Sequence, residues 1–504
     1  MKTNTQIKGM EKLPTGIAGL DWVCDGGFPK NRTTLVCGTA GSGKTLFAAQ
    51  FLAEGIQQTN ESGLFVTFEE SPDDIRNNVG SLGWNVPLWE KQKKWVFVNA
   101  SPRMEEQVVG EYDLTAFLVR IEKAIKEVNA KRVVIDSLGA IFSQFTIETI
   151  VRRELFRIVN ALKEMGITSM MTAERDTEYG RVSRHSVEEF VADNVIILRN
   201  VLDQERRRRT LEVLKLRGSS HQKGECPFTI LPKTGLELMP ISFIALEQKS
   251  TSKRIRSGKK EVDDMCGGGF FRDSIILVSG PTGTGKTLLA SEFIMGGAKS
   301  GERSLYFAFE ESHEQLSRNA TSWGMDFDEL EKTGKLKMVC CYPETANLEE
   351  HLINMKRVIE EFKPQRIAVD SLSALERTAI RRGFRDFVLC LTAFIKKQQI
   401  AGLFTSTSPS LLGGLSVTEA HISTITDSII LLRYLEMAGE MRRGITVLKM
   451  RGSKHDKEIR EYTIDEKGLH IGAPVNKVTG ILTGHLKYLS KEDALEMSMS
   501  ESEA

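Results

Sequence analysis

The chain is 504 residues long, a length that suits about two to four domains, each large enough to bury its own core. Its 68 Lys+Arg against 67 Asp+Glu leave a net charge of +1, so no overall field draws it towards nucleic acid or a membrane surface. No apolar stretch approaches the ~18 residues of a membrane span, the opening Met-Lys-Thr-Asn-Thr-Gln does not read as a signal peptide, and seven cysteines without C-x-x-C spacing and eight histidines without ligand spacing imply a cytoplasmic protein with reduced thiols and no structural metal.

Residues 1–15 are polar and expected to be poorly ordered. The run Thr34-Leu35-Val36-Cys37 predicts a strand that opens onto Gly38-Thr39-Ala40-Gly41-Ser42-Gly43-Lys44-Thr45, after which Leu46 to Leu52 reads as a helix. That is G-x-x-x-x-G-K-[ST] in its required strand–loop–helix setting, the loop that wraps a nucleoside triphosphate. Glycines let backbone N–H groups face the phosphates, as does the helix N-terminus. Lys44 is expected to reach the β/γ-phosphates of ATP and Thr45 to ligate Mg²⁺.

Phe68-Glu69-Glu70-Ser71 places paired carboxylates after the next apolar run. Phosphoryl transfer needs a group to orient or deprotonate the nucleophile, which Glu69 and Glu70 can supply. The plainer alternative is an acidic pair favoured by a helix dipole. Leu114–Val128, Arg132–Asp136, Val151–Glu164 and Thr168–Thr172 alternate helix with strand, which predicts a parallel sheet covered on both faces. Asp136, ending its apolar strand, suits the Mg²⁺ shell. The runs Asn194–Leu198, Leu211–Leu216 and Phe228–Ile230 are spaced as antiparallel strands. Arg206-Arg207-Arg208-Arg209 reads as a solvated turn rather than a nucleic-acid patch, with Arg209 as one functional cation. Lys215 and Arg217, two apart on a strand, share a face. They are either a solvated edge or cations that complete a neighbour's nucleotide site, since arginine contacts phosphate bidentately.

The pattern then returns. Gly280-Pro281-Thr282-Gly283-Thr284-Gly285-Lys286-Thr287 follows Ile275-Ile276-Leu277-Val278 and precedes Leu288 to Ile294; the offset is 286−44 = 242. Phe309-Glu310-Glu311-Ser312 matches at 310−69 = 241, while Asp370 (370−136) and Lys449-Met450-Arg451-Gly452-Ser453 (449−215) match at 234. Arg443 echoes Arg209 at the same 234, so a steady register marks a duplicated domain. The expected divisions are 1–241, 242–474 and a tail of 475–504, with an exposed linker near 242–257 and an acidic, disordered end.

Taken together, two halves each carrying G-x-x-G-K-T, F-E-E, D-S-L and K-[LM]-R-G-S resemble the KaiC family of circadian-clock ATPases and autokinases, a RecA-like group. Val151-Arg152-Arg153-Glu154-Leu155-Phe156-Arg157, Met265-Cys266-Gly267-Gly268-Gly269-Phe270-Phe271 and His421-Ile422-Ser423-Thr424-Ile425-Thr426-Asp427 carry the likeness, which spans Gly16 to Gly468. The resemblance implies tandem RecA-like P-loop domains in a nucleotide-dependent homohexamer. The first half would hydrolyse ATP slowly; the second would be a serine/threonine autokinase and autophosphatase. It places phosphoacceptors at Ser423 and Thr424, a regulatory threonine at Thr418, and Glu310 as base and metal-site residue alongside Glu311. It further implies nucleotide contacts at Leu46, Ser81, Leu216, Ser219 and His221, and at Leu288, Trp323, Met450, Ser453 and His455. Subtracting 234 sets Ser423 and Thr424 opposite Glu189 and Phe190, so only the second half offers hydroxyls there. The family's KaiA-recruiting tail is not recognisable in Val475–Ala504, whereas Ser143-Gln144-Phe145 to Arg152-Arg153-Glu154 keeps the pattern near a KaiB-docking surface. A KaiB-like partner without KaiA is therefore expected. The rival classes are a signalling ATPase platform and a RecA-type DNA-dependent ATPase; the latter would show basic loops facing a channel.

Overall fold

Short β-branched runs form the strands, and the 3.6-periodic segments between them form the helices. The computed structural model describes residues 10–100, 114–142, 148–183, 188–203, 206–239, 250–378, 381–408, 422–437 and 439–475, with 478–479 and 487–488. The chain divides into two compact units, 1–240 and 241–504. The first holds a nine-stranded sheet in the order Trp95–Asn99, Gly63–Thr67, Arg132–Asp136, Thr168–Glu174, Thr33–Gly38, Asn194–Asp203, Arg206–Leu216, Glu225–Leu231, Gly235–Leu238. Pairings are parallel as far as Asn194–Asp203 and antiparallel beyond it. The second unit repeats this order: Leu336–Cys340, Ser304–Ala308, Arg366–Asp370, Ala401–Thr407, Ile275–Gly280, Ser428–Met437, Glu440–Met450, Arg460–Asp465, Gly468–Pro474. Each unit is thus a mostly parallel α/β domain of the RecA-like type, in tandem with the other.

The parallel strands are near-continuously apolar because both faces are covered. In the first unit Val36, Phe65 and Val134 pack under the helix Lys44–Gln58 through Phe47, Phe51 and Leu52. Their alternates Leu35, Leu64 and Val133 pack under Leu114–Val128 and Glu148–Glu164 through Phe117, Ile121 and Leu155. Both units also bury an arginine clamp. Arg366 is 1% exposed, donates to Glu302 at 2.6 Å and to the carbonyls of Arg256 and Phe293, and lies over the Phe293 ring; Arg132 does the same with Glu61, the Phe51 carbonyl and the Phe51 ring.

Four expectations change. Lys12–Leu13 pairs with Phe28–Pro29 and Thr15 is buried, so residues 10–15 are structured. The arginine run is no turn: Arg206–Leu216 is one strand, paired from Arg206↔Asp203 onwards with a strand that itself runs parallel to Thr33–Gly38. Arg206, Arg208 and Arg209 are half-buried, and the exposed Arg207 donates to the Asn200 carbonyl at 2.7 Å. The proposed linker ends early, because Arg254–Ile255 pairs with Phe270–Phe271 and Ser257 is buried. In the tail, Val478–Thr479 pairs antiparallel with Lys487–Tyr488.

Candidate nucleotide site

Parallel strands put the loops at their carboxyl ends on one side of each sheet, where α/β proteins bind ligands. Thr33–Gly38 and Ile275–Gly280 deliver the two phosphate loops there, at the start of the helices Lys44–Gln58 and Lys286–Lys299. Gly43 (φ 97°) and Gly285 (φ 92°) are left-handed at the helix start, and a Cβ on Gly285 would meet Ile464 Cδ1 at 2.7 Å. Lys44 Nζ arches over its loop to the Gly38 and Thr39 carbonyls, both at 3.0 Å. Lys286 does likewise with Gly280 and Pro281, both at 2.9 Å, and burial lowers its pKa.

The acids of the sequence motif converge on the same mouth. Thr172 donates to Asp136 Oδ1, and the Thr45 hydroxyl reaches that carboxylate as well. Burial pushes Asp136 up, against the pull of Thr172, Thr45 and Lys44. In the second unit Thr405 donates to Asp370 Oδ1 and Tyr306 to Oδ2 at 3.0 Å. The glutamate pairs divide their contacts. Glu69 accepts from Ser137 at 3.2 Å and Glu310 from Ser371 at 3.0 Å; Glu310 also pairs with Arg377 at 2.6 Å. Glu70 faces Asn78 and Glu311 faces Asn319, and both carboxyls are pushed up, by burial first and then by Asp136 or Asp370. A glycine loop, a lysine, and a threonine hydroxyl in contact with a carboxylate form a donor set that fits a triphosphate with its Mg²⁺.

The cation pairs are elsewhere. Lys215 donates to the Glu189 and Ala192 carbonyls at 3.0 and 2.7 Å, and Arg217 lies 3.7 Å from Asp193, which Arg32 holds at 2.9 Å. The Asp193 amide bonds to Thr33, the residue at which the phosphate-loop strand begins. The five steps from Thr33 to Gly38, at ~3.3 Å each, set this end about 17 Å from the loop. The second unit repeats the arrangement. Lys449 donates to the Ser423 and Thr426 carbonyls, both at 2.7 Å, Arg451 donates to the Thr424 carbonyl at 2.8 Å, and the Asp427 amide bonds to the Ile275 carbonyl. Ser423 and Thr424, half-buried and exposed, lie on a single 3-10 turn, Ile422–Thr424, between these cations. Thr418 lies outside the described residues.

Arg209 and Arg443 do not join those pairs. They sit opposite Asn200 and Tyr434, whose side chains donate to the loop carbonyls of Gly41 at 3.4 Å and Thr282 at 3.2 Å. The Arg443 guanidinium lies 5.9 Å from the Tyr434 ring, and in both arginines the buried Nε has no partner among the described residues. Trp323 is half-buried against the second core, whereas Ser81 is exposed and donates to the Asn78 carbonyl. Leu216 and Met450 are buried strand ends; Ser219, His221, Ser453 and His455 follow them, with Ser453 held by Arg254.

The family model described as "ATPase: KaiC" matches residues 13–242 and 255–476. This chain is a KaiC-family ATPase. It is 62% identical over 495 residues to "Circadian clock protein KaiC3" of Synechocystis sp., covering 98% of both. It is 53% identical over 490 residues to "Circadian clock oscillator protein KaiC" of Thermosynechococcus vestitus, covering 97% of this chain and 94% of that one. To "Circadian clock oscillator protein KaiC 1", also of Synechocystis sp., it is 51% identical over 492 residues, 97% and 95% of the two.

Beyond the motif residues, this KaiC-family chain uses groups that sequence reasoning passed over. Asp193 and Asp427 hold Arg217 and Arg451, Asn200 and Tyr434 steady the loops, and Tyr306 reaches Asp370. The repeat register carried a signal for each: 427−193 and 434−200 are both 234, and 306−65 = 241 sets Tyr306 against Phe65.

Proposed function

We propose that the chain assembles as a nucleotide-dependent ring, a hexamer by family likeness, in which each nucleotide site is completed by the neighbouring subunit. The first half is then a slow ATPase and the second an autokinase and autophosphatase acting on Ser423 and Thr424. One observation carries this reading: Lys449, Arg451 and the acceptor turn lie together about 17 Å along the sheet from their own phosphate loop. Groups that far away serve a neighbour's nucleotide or none.

In this reading Lys44 and Lys286 bind phosphate, and Thr45 with Asp136, and Thr287 with Asp370, hold Mg²⁺, which would neutralise charge on the phosphates. Glu69 and Glu70 orient and deprotonate water. Glu310, with Glu311 beside it, takes the proton of the acceptor hydroxyl on the adjacent subunit. Arg377 holds Glu310 in place. Trp323, Ser81 and the strand-end residues would contact the nucleoside. The relatives' printed names support a clock role, and a KaiB-like protein is the proposed partner; Ser143–Phe145 of its docking stretch lie outside the described residues. All seven cysteines are unpaired, which suits a reducing cytoplasm. Among the described residues no helix is long and apolar enough to cross a membrane.

The test is phosphopeptide mapping after incubation with Mg·ATP. Label is expected on Ser423 and Thr424 and to vanish in Ser423→Ala/Thr424→Ala; equal labelling of that variant would leave only an ATPase platform.

A further inference from the structure

The two units are near copies, so a polar group present beside the nucleotide in one and absent from the other is informative. The strands Gly63–Thr67 and Ser304–Ala308 occupy the same place in each sheet, with Phe65 opposite Val134 and Tyr306 opposite Ala368. Phe65 is an ordinary core residue. Tyr306 is equally buried, yet its hydroxyl donates to Asp370 Oδ2 at 3.0 Å. Its neighbour is changed in step. Ser291, within hydrogen-bonding reach of the Tyr306 oxygen, stands where the first unit has Ala49 (291−242 = 49). Ser291 is itself fixed by the Thr287 carbonyl at 2.8 Å, in the first turn of the phosphate-loop helix. The Tyr306 proton thus goes to Asp370, whose other oxygen accepts from Thr405, while the single Ser291 proton is shared between the Thr287 carbonyl and the Tyr306 oxygen. In the first unit, among the described residues, Asp136 is held by Thr172 and by the Thr45 hydroxyl, and Phe65 offers no donor.

We propose that Tyr306 is a positioning residue for the divalent cation of the second nucleotide site, absent from the first, which fixes the Asp370 carboxylate by holding its second oxygen. A buried phenol costs free energy unless its hydroxyl is paired, so the position is not explained by packing, which Phe65 already satisfies. Donors behind a metal-shell carboxylate lock its rotation, and losing one lowers cation affinity by about 10- to 100-fold. This rests on the reading of Asp370 as the Mg²⁺-shell residue of a nucleotide site.

The variant is Tyr306→Phe, which removes one oxygen and installs the first unit's own residue. Mn²⁺ binding to the ATP-loaded full chain, followed by the electron paramagnetic resonance of the free ion, should separate into two affinity classes. One should weaken by about tenfold in the variant, while the class belonging to the first unit stays in place. Phosphorylation of Ser423 and Thr424 should correspondingly need about tenfold more Mg²⁺ for half its maximum. Unchanged or tighter Mn²⁺ binding in both classes overturns the proposal, as does a lower maximal rate with an unchanged Mg²⁺ requirement, which would mark a merely structural tyrosine. Should wild type bind Mn²⁺ in two classes but leave Ser423 and Thr424 unlabelled, the autokinase reading fails and the titration still decides the role of Tyr306.

Discussion

Lys449→Met separates what this cation does for its own chain from what it does for a neighbour. The ammonium has three N–H donors. Two are spent on the Ser423 and Thr426 carbonyls at 2.7 Å each, which fixes the direction of the third. A charge-assisted hydrogen bond from that third donor to a neighbour's phosphate is worth about 1.5–3 kcal/mol. At 1.4 kcal/mol per decade, its loss raises the ATP concentration needed for assembly roughly 10- to 150-fold. Within the chain, methionine leaves two carbonyls that water can reach beside a half-buried side chain, a discounted cost of about 1–2 kcal/mol in stability. Light scattering across an ATP titration reads the first effect, and thermal unfolding without nucleotide reads the second. A folded Lys449→Met protein that assembles at the wild-type ATP concentration would refute the argument, because the cation would then serve only its own acceptor turn.

Other consequences follow from the same geometry. Glu69→Gln/Glu70→Gln should lower steady ATPase by ~10²–10⁴-fold while ATP-driven assembly persists; surviving turnover in a colorimetric phosphate assay would misassign the hydrolytic site. Glu311 is raised above its ordinary value of 4.5 by burial, so its ionised form penalises the folded state. Glu311→Gln should therefore raise the second unit's melting temperature at neutral pH, and the gain should fade as pH falls through the raised pKa towards 4.5, where wild type is protonated too. A gain that grows towards acid would reverse the sign. Arg366→Met should cost the second unit about 2–4 kcal/mol, read as a lower urea midpoint, because it takes a donor from the Arg256 and Phe293 carbonyls and leaves Glu302 with Arg272 as its remaining cation.

The sequence was most readable where chemistry forces a fixed spacing. The phosphate loops, acidic pairs and strand-end aspartates all meet at the carboxyl ends of the sheet, because each must touch the same triphosphate. The parallel order followed from β-branched runs alternating with helices. What escaped was set by pairing across the sheet. The extension of Asn194–Asp203 and Arg206–Leu216 into one long hairpin overrode the turn-like look of four arginines, since cross-strand bonds stabilise charged edge residues that local pattern leaves in solvent. The split of Arg209 from Lys215 and Arg217 is likewise invisible in a spacing of six; only the strand direction shows that they face opposite ends of the domain. Tyr306 was hidden because a tyrosine in an apolar strand reads as core until its hydroxyl is seen against Asp370.

Completion of each site by a neighbour is tested most directly by mixing two defective chains before adding Mg·ATP. Glu310→Gln/Glu311→Gln chains keep their acceptors but lack the acids; Ser423→Ala/Thr424→Ala chains keep the acids but lack the acceptors. Neither should label alone, and mixed rings should carry phosphate on Ser423 and Thr424 of the acid-deficient chain. A mixture that assembles yet stays unlabelled, while wild type labels fully, would contradict transfer between subunits.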